Sequence, residues 1–353
     1  MTRFAFQALA LFLMSACTSM SSASEPHAVI LLYHHVSEQT PASTSVTPAQ
    51  FEQHLEYLAA NDYRVWPLQR VLDSLLQDAE NVPDRLVAIT FDDAYESVHM
   101  EAHPRLAERD WPYTVFVNTE AVDAGHSPYM SWAQLRALAD EGVAIENHSA
   151  AHGHMSRPRP SESQKEWRQR VRADIGTARS RIAAEIGRAP ELFAYPYGED
   201  SAALAEIVAE DHGYALAQRS GPVGPLTDLL SIPRFPMATG FASMDRLQLA
   251  VRSRPLPVSQ RAARPGEPAA GGDIDRIELQ LQSGDFRAAR LDCFAGSGRR
   301  LDTEIVGDGP YRVLIDLREV GSPGRNKVNC TAPAADGSGE YYWFSYQWLV
   351  DRG

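Results

Sequence analysis

Cysteine and basic charge are both scarce in this chain, and each shortage excludes something. Three cysteines occur in 353 residues, and neither Cys293 nor Cys330 sits in a CxxC or Cys/His setting, which argues against a cysteine-ligated metal. Lysine and arginine number 33 against 46 aspartates and glutamates, a net charge of −13, with no basic stripe to override the mean. Nucleic-acid phosphates would be repelled by such a surface, so no nucleic-acid partner is expected. The apolar run at residues 4–14 is too short to span a bilayer permanently. What is present describes a globular protein: 44% hydrophobic residues, with ordinary glycine, proline and aromatic content and length for one large domain and one small one.

Residues 1–23 read as an export signal, with Arg3 as its positive end and residues 4–14 as its apolar segment. Met14-Ser15-Ala16-Cys17 resembles a bacterial lipobox, with Met14 where leucine is usual. Cys17 is therefore expected to carry lipid and to tether the protein to the periplasmic face of the outer membrane. Ser21-Ser22-Ala23 offers an ordinary cleavage site instead, which would leave a soluble periplasmic or secreted protein. With Cys17 used for lipid, Cys293 and Cys330 remain, and an oxidising compartment would join them.

From residue 24 to 252 apolar strands alternate with helical patterns. Strands are expected at residues 28–33, 86–90, 113–117, 142–146, 192–195 and 214–217, each a short apolar run bounded by turn residues. Thr47 with Gln50 and Ser131 with Gln134 form capping boxes, and further helices read at 67–77, 98–109, 163–186 and 202–211. This alternation predicts an α/β fold built on a parallel sheet or barrel. Residues 253–273 are rich in proline and glycine and read as a linker. Residues 274–353 switch to period-two alternation and read as a small antiparallel β-sandwich. Its aromatics Tyr341, Tyr342, Trp343, Phe344, Tyr346 and Trp348 could make a sugar-stacking face or be half core and half surface.

Chemistry gathers at the strand ends. Asp92 and Asp93 follow the run at 86–90, His148 and His152 follow 142–146, Pro196-Tyr197-Gly198 follows 192–195, and His34 and His35 follow 28–33. Polar motifs at strand C-termini are what a parallel barrel presents on its catalytic face. An Asp/His/His set with one spare carboxylate suits hydrolysis of an acyl bond by metal-activated water.

Thr90-Phe91-Asp92-Asp93-Ala94-Tyr95, His148-Ser149-Ala150-Ala151-His152 and Tyr195-Pro196-Tyr197-Gly198, in that order, resemble the first three motifs of the polysaccharide deacetylases, the NodB-like carbohydrate esterases of family 4. The resemblance covers residues 28–250. Leu32-Tyr33-His34-His35-Val36, and Ser131-Trp132 ahead of the histidine motif, look most like the poly-β-1,6-N-acetylglucosamine N-deacetylase branch. That resemblance implies an irregular, circularly permuted (β/α)7-type barrel. The small C-terminal domain is not the glycoside-hydrolase domain that some members carry.

The resemblance also implies roles. Asp93, His148 and His152 would hold a divalent metal, Zn2+ by donor type, and Asp92 would be the general base. The backbone N–H of Tyr197 would meet the oxyanion, and His34, with His35 as a weaker alternative, would protonate the leaving amine. No histidine follows His212, so the late-motif acid of many relatives has no counterpart. Two departures stand out. Ala194 occupies the position of an arginine that steadies the base, for which Arg234 is a substitute candidate. Ala94 replaces a common glycine, a small change if its φ is negative. The expected substrate is an exported, acetylated amino-sugar polysaccharide, with a polysaccharide export apparatus as a further partner. The alternatives are O-deacetylation of another acetylated glycan, or an inactive polysaccharide-binding lipoprotein.

Overall fold

The computed structural model describes residues 25–238, 240–261, 274–318 and 320–350. The expected signal, Cys17 with its lipid, and the part of the linker at 262–273 lie outside the described residues.

Seven parallel strands build the first layer: β1 (Ala28–Tyr33), β2 (Leu86–Asp92), β3 (Thr114–Val117), β4 (Ala144–Asn147), β5 (Leu192–Ala194), β6 (Tyr214–Leu216) and β7 (Phe235–Pro236). They lie in the order β7-β1-β2-β3-β4-β5-β6, with the short strand Arg64–Val65 beside the start of β2. The chain returns past β6 through a parallel bridge between Leu216 and Ile232 and then pairs Phe235 with Leu31 of β1. The sheet thereby curls round as a (β/α)-type barrel.

Both faces of the strands are covered, which is why they read as continuous apolar runs. The alternation still sorts them. Val29, Leu31 and Tyr33 of β1, with Val87, Ile89 and Phe91 of β2, face the outer helices. Ala28, Ile30, Leu86 and Ala88 pack with Phe116, Leu192, Ala194 and Leu216, and with Leu68, Val71, Leu72 and Leu75 of helix Leu68–Gln77. By the same period of two, Thr90 and Asp92 share the face of Leu86 and Ala88. Both capping boxes form, at Thr47/Gln50 on helix Pro48–Ala60 and Ser131/Gln134 on helix Trp132–Asp140.

The C-terminal part is a sandwich of two four-stranded sheets. Its strands are β8 (Arg254–Pro255), β9 (Val258–Arg261), β10 (Arg276–Leu281), β11 (Asp292–Ala295), β12 (Thr303–Val306), β13 (Tyr311–Asp316), β14 (Gly324–Pro333) and β15 (Tyr341–Val350). The orders are β8-β15-β14-β11 and β9-β10-β13-β12. Residues 254–261 are therefore not spacer. Arg254 and Pro255 pair with Tyr342 and Trp343, and residues 258–261 pair with β10, because extended proline-bearing backbone is accepted on a sheet edge. The six aromatics of β15 do not share one stacking face. Tyr342, Tyr346 and Trp348 fill the sandwich core, Trp343 packs on Phe235 of the barrel at 5.6 Å, and only Tyr341 is exposed.

Cys293 of β11 faces Cys330 of β14 in register, and the two form a buried disulfide. Closing a loop over a sequence separation of 37 restricts the unfolded chain by about 3–4 kcal/mol. Cys293→Ala with Cys330→Ala is expected to lose that stability in urea unfolding; an unchanged midpoint would show that the crosslink does not limit the unfolded sandwich.

Candidate active site

Asp92 ends β2 on the inner face of the barrel, where a bare carboxylate would be costly. It is matched by Arg234, fully buried, whose Nη1 and Nη2 donate to Oδ1 and Oδ2 at 2.7 and 2.8 Å. Arg234 is itself held by Nε donating to the Ala217 carbonyl at 3.0 Å, with its guanidinium 5.5 Å from the Phe116 ring. Burial pushes the Asp92 carboxyl up, but the charges of Arg234 and His148 and the Arg234 hydrogen bonds outweigh it and hold the group down at about 2. The arginine absent at position 194 is thus supplied by the segment entering β7.

Asp93 lies just beyond the strand at φ 72°, and Ala94 follows at φ 55°. The condition under which alanine for glycine would be a small change, a negative φ, is not met at Ala94: the chain makes a left-handed turn here, which carries Asp93 away from the strand's alternation. Asp93 Oδ1 is buried with no hydrogen-bond partner, while the Tyr95 hydroxyl donates to the carboxylate. Burial, with Asp92 alongside, pushes the Asp93 carboxyl up to about 6.

His148 and His152 sit on an irregular loop after β4. Ser149 and His152 both have positive φ, at 69° and 51°, and the loop is pinned by Ala150 N–H donating to Asp174 at 2.8 Å and His152 N–H donating to Ser149 Oγ at 3.0 Å. His148 Nδ1–H donates to the Ala194 carbonyl at 2.7 Å, which sets the tautomer and leaves Nε2 as a lone pair. That Nε2 is 3.5 Å from Asp93 Oδ1 and 3.9 Å from Asp92 Oδ2, and His152 Nε2 is 3.2 Å from Asp93 Oδ1. Burial lowers both imidazoles, His148 to about 3. Ligand atoms of Asp93, His148 and His152 lie within 4.8 Å of one another. An unpartnered carboxylate oxygen facing two neutral imidazole nitrogens is a donor set that fits a divalent cation.

The other expected residues are placed around this core. Tyr197 lies in a tight turn at φ 58°, its exposed ring edge-on to His152 at 4.6 Å and stacked on His154 at 4.3 Å. His154 also pairs with Glu199 at 2.9 Å. His34 follows Tyr33, which is in register with Phe91, so it stands level with Asp92 in the neighbouring strand, close enough for its charge to lower both carboxyls. His35 instead stacks on Tyr95 at 3.5 Å and is buried.

Residues from the sandwich reach the Tyr197 turn without any local signal in the sequence. Arg325 of β14 donates to the Tyr197 carbonyl, Gln347 of β15 to the Gly198 carbonyl and Asp200, and Lys327 to the Gln218 carbonyl at 2.7 Å.

The family profile of the polysaccharide deacetylases matches residues 79–217. The chain is 29% identical over 137 residues to YxkH of Bacillus subtilis, named as a polysaccharide deacetylase, covering 39% of this chain and 47% of that protein. It thus spans about half of that relative's length. It is 23% identical over 210 residues to a Staphylococcus aureus poly-β-1,6-N-acetyl-D-glucosamine N-deacetylase, covering 58% of this chain and 71% of the other. Among solved structures, the Streptococcus pyogenes deacetylase PplD superposes with a TM-score of 0.57 at 20% identity, covering 65% of this chain and 99% of that one. The deacetylase domain of BpsB from Bordetella bronchiseptica gives 0.52 at 25%, covering 60% and 96%. IcaB from Ammonifex degensii gives 0.56 at 22%, covering 65% and 98%.

Proposed function

Because the chain carries a polysaccharide deacetylase domain, we propose that it removes N-acetyl groups from an exported amino-sugar polysaccharide of the poly-β-1,6-N-acetylglucosamine type. The observation that carries this reading is the meeting of the unpartnered Asp93 Oδ1 with Nε2 of His148 and His152, beside a second carboxylate clamped by Arg234. A divalent ion held by Asp93, His148 and His152, zinc by its donor set, would supply Lewis acidity toward the acetyl carbonyl and water.

In this reading Asp92 accepts the proton of the attacking water. The Arg234 clamp keeps it ionised throughout the neutral range and fixes the direction of its lone pairs. The Tyr197 backbone N–H is the oxyanion donor, in a turn stiffened by Pro196 and by the contacts from Arg325 and Gln347. His34, level with Asp92, returns a proton to the departing amine. The expected export signal, with Cys17 lipidated, would place the protein at the periplasmic face of the outer membrane beside a polysaccharide export apparatus.

The test is acetate release from acetylated β-1,6-glucosamine oligomers by the intact protein before chelation, after it, and after zinc is restored. Release lost on chelation and recovered with zinc is expected. Release that survives exhaustive chelation would overturn the metal assignment, and no release under any loading would overturn the polymer.

A further inference from the structure

Three large aromatic side chains are exposed among the described residues: Tyr197, Phe241 and Tyr341. Tyr197 belongs to the site. The other two line one cleft of 530 Å³ between the barrel mouth and the β8-β15-β14-β11 sheet, and His34 lines it too. The volume lies within the range of about 300–1,000 Å³ usual for ligand pockets. Aromatic rings left in solvent carry some cost, and two on the walls of one cleft that extends to His34 mark a place where flat C–H faces, such as those of a pyranose, would lie.

The charge of the cleft is as selective as its rings. Besides His34 and Tyr341, its ionisable side chains are Arg246, Arg325 and Lys327, and among the described residues no carboxylate lines it, in a chain of net charge −13. Arg246 lies over the Phe241 ring at 5.4 Å. Lys327 donates to the Gln218 carbonyl and Arg325 to the Tyr197 carbonyl, so both are anchored on neutral oxygens. Glu199 and Asp200 act on Arg325 from outside the lining. A neutral acetamido sugar meets hydrogen-bond donors and ring faces here; a glucosammonium meets two guanidinium cations, beside a Lys327 ammonium that burial pushes down to about 7, and no carboxylate among the described lining residues.

We propose that this cleft holds the sugars flanking the one being deacetylated and accepts them while they keep their acetyl groups, so that deacetylation along the polymer is spaced. The inference rests on the amino-sugar reading above and gives the sandwich a part in choosing substrate. A sugar converted to the free amine is disfavoured from moving into the cleft, which separates successive sites of reaction.

The experiment titrates the intact, metal-chelated protein by calorimetry with two probes, a β-1,6-linked N-acetylglucosamine pentamer and the corresponding glucosamine pentamer. The acetylated probe is expected to bind at least about tenfold tighter. Phe241→Ala and Tyr341→Ala, both at exposed positions, are each expected to weaken it by about fivefold to tenfold. Arg246→Glu, which leaves the residues around the Tyr197 turn untouched, is expected to tighten the glucosamine pentamer. Hydrolysis of a small aryl acetate by the zinc-loaded variants, at the wild-type rate, checks that the site is intact, because such an ester needs no flanking subsite. Equal affinity for the two pentamers, or binding indifferent to both aromatic variants, would overturn the cleft while leaving the deacetylase reading in place if acetate is still released. Failure to bind either pentamer or to release acetate from one would remove both.

Discussion

Asp92→Asn is expected to lower kcat for acetate release by about 10²–10⁴-fold while leaving zinc binding intact. The amide keeps the shape of the carboxylate and one oxygen for Arg234, but it cannot take a proton from water. Asp93, His148 and His152, the groups that fit a cation, are untouched. Acetate release and equilibrium dialysis with zinc, measured on the same protein, separate the roles. A rate within about threefold of wild type would remove Asp92 as the base, and loss of zinc together with rate would make it a ligand.

The second large effect is at Arg234. Arg234→Met keeps an unbranched side chain in a fully buried position but leaves the Asp92 carboxylate buried without its partner. Breaking one side of such a pair costs about 3–5 kcal/mol, measured by urea unfolding at neutral pH. The pH dependence has a definite sign. In the wild type the Asp92 carboxyl is held at about 2, below its ordinary 3.8, so the pair stabilises fully above pH 4 and is lost as pH falls toward 2. Without Arg234 the opposing effect of burial prevails and the carboxyl titrates higher. The gap in stability between variant and wild type should therefore narrow as pH is lowered from 7 to 4, and the acid limb of the rate profile should move toward neutral pH. Arg234→Lys should rescue only part of both, since an ammonium cannot donate to both carboxylate oxygens in a planar fork. An unshifted acid limb in Arg234→Met would mean that the arginine supports the barrel without setting the state of Asp92.

Much of the site was legible because its signals are local. Asp92, Asp93, His148 and His152 are residue types that metal hydrolysis needs, and each follows an apolar run that had to be a buried strand. The departure at Ala194 even pointed to Arg234, although 142 residues separate that arginine from Asp92. Other features were not legible. Ala94 gives no hint of its left-handed backbone, because alanine has no local preference for it and the turn is imposed by where Asp93 must go. Strand β14 is poorly marked in the sequence: Arg325, Asn326, Lys327 and Asn329 dilute its apolar positions, though its alternate residues Val328, Cys330 and Ala332 are buried.

By itself the sequence determined the element types, the parallel arrangement of the first part, the all-β character of the C-terminal part and the residue types at the strand ends, since periodicity and residue chemistry act over a few positions. Only the tertiary structure decided that the Arg234 fork meets both oxygens of Asp92, that the stretch after residue 253 joins the sandwich, that the aromatics of β15 divide among three environments, and that Arg325, Lys327 and Gln347 reach the barrel mouth. Those outcomes depend on how distant segments are brought together when two cores close, and a contact made across more than a hundred residues leaves no period in the chain to read.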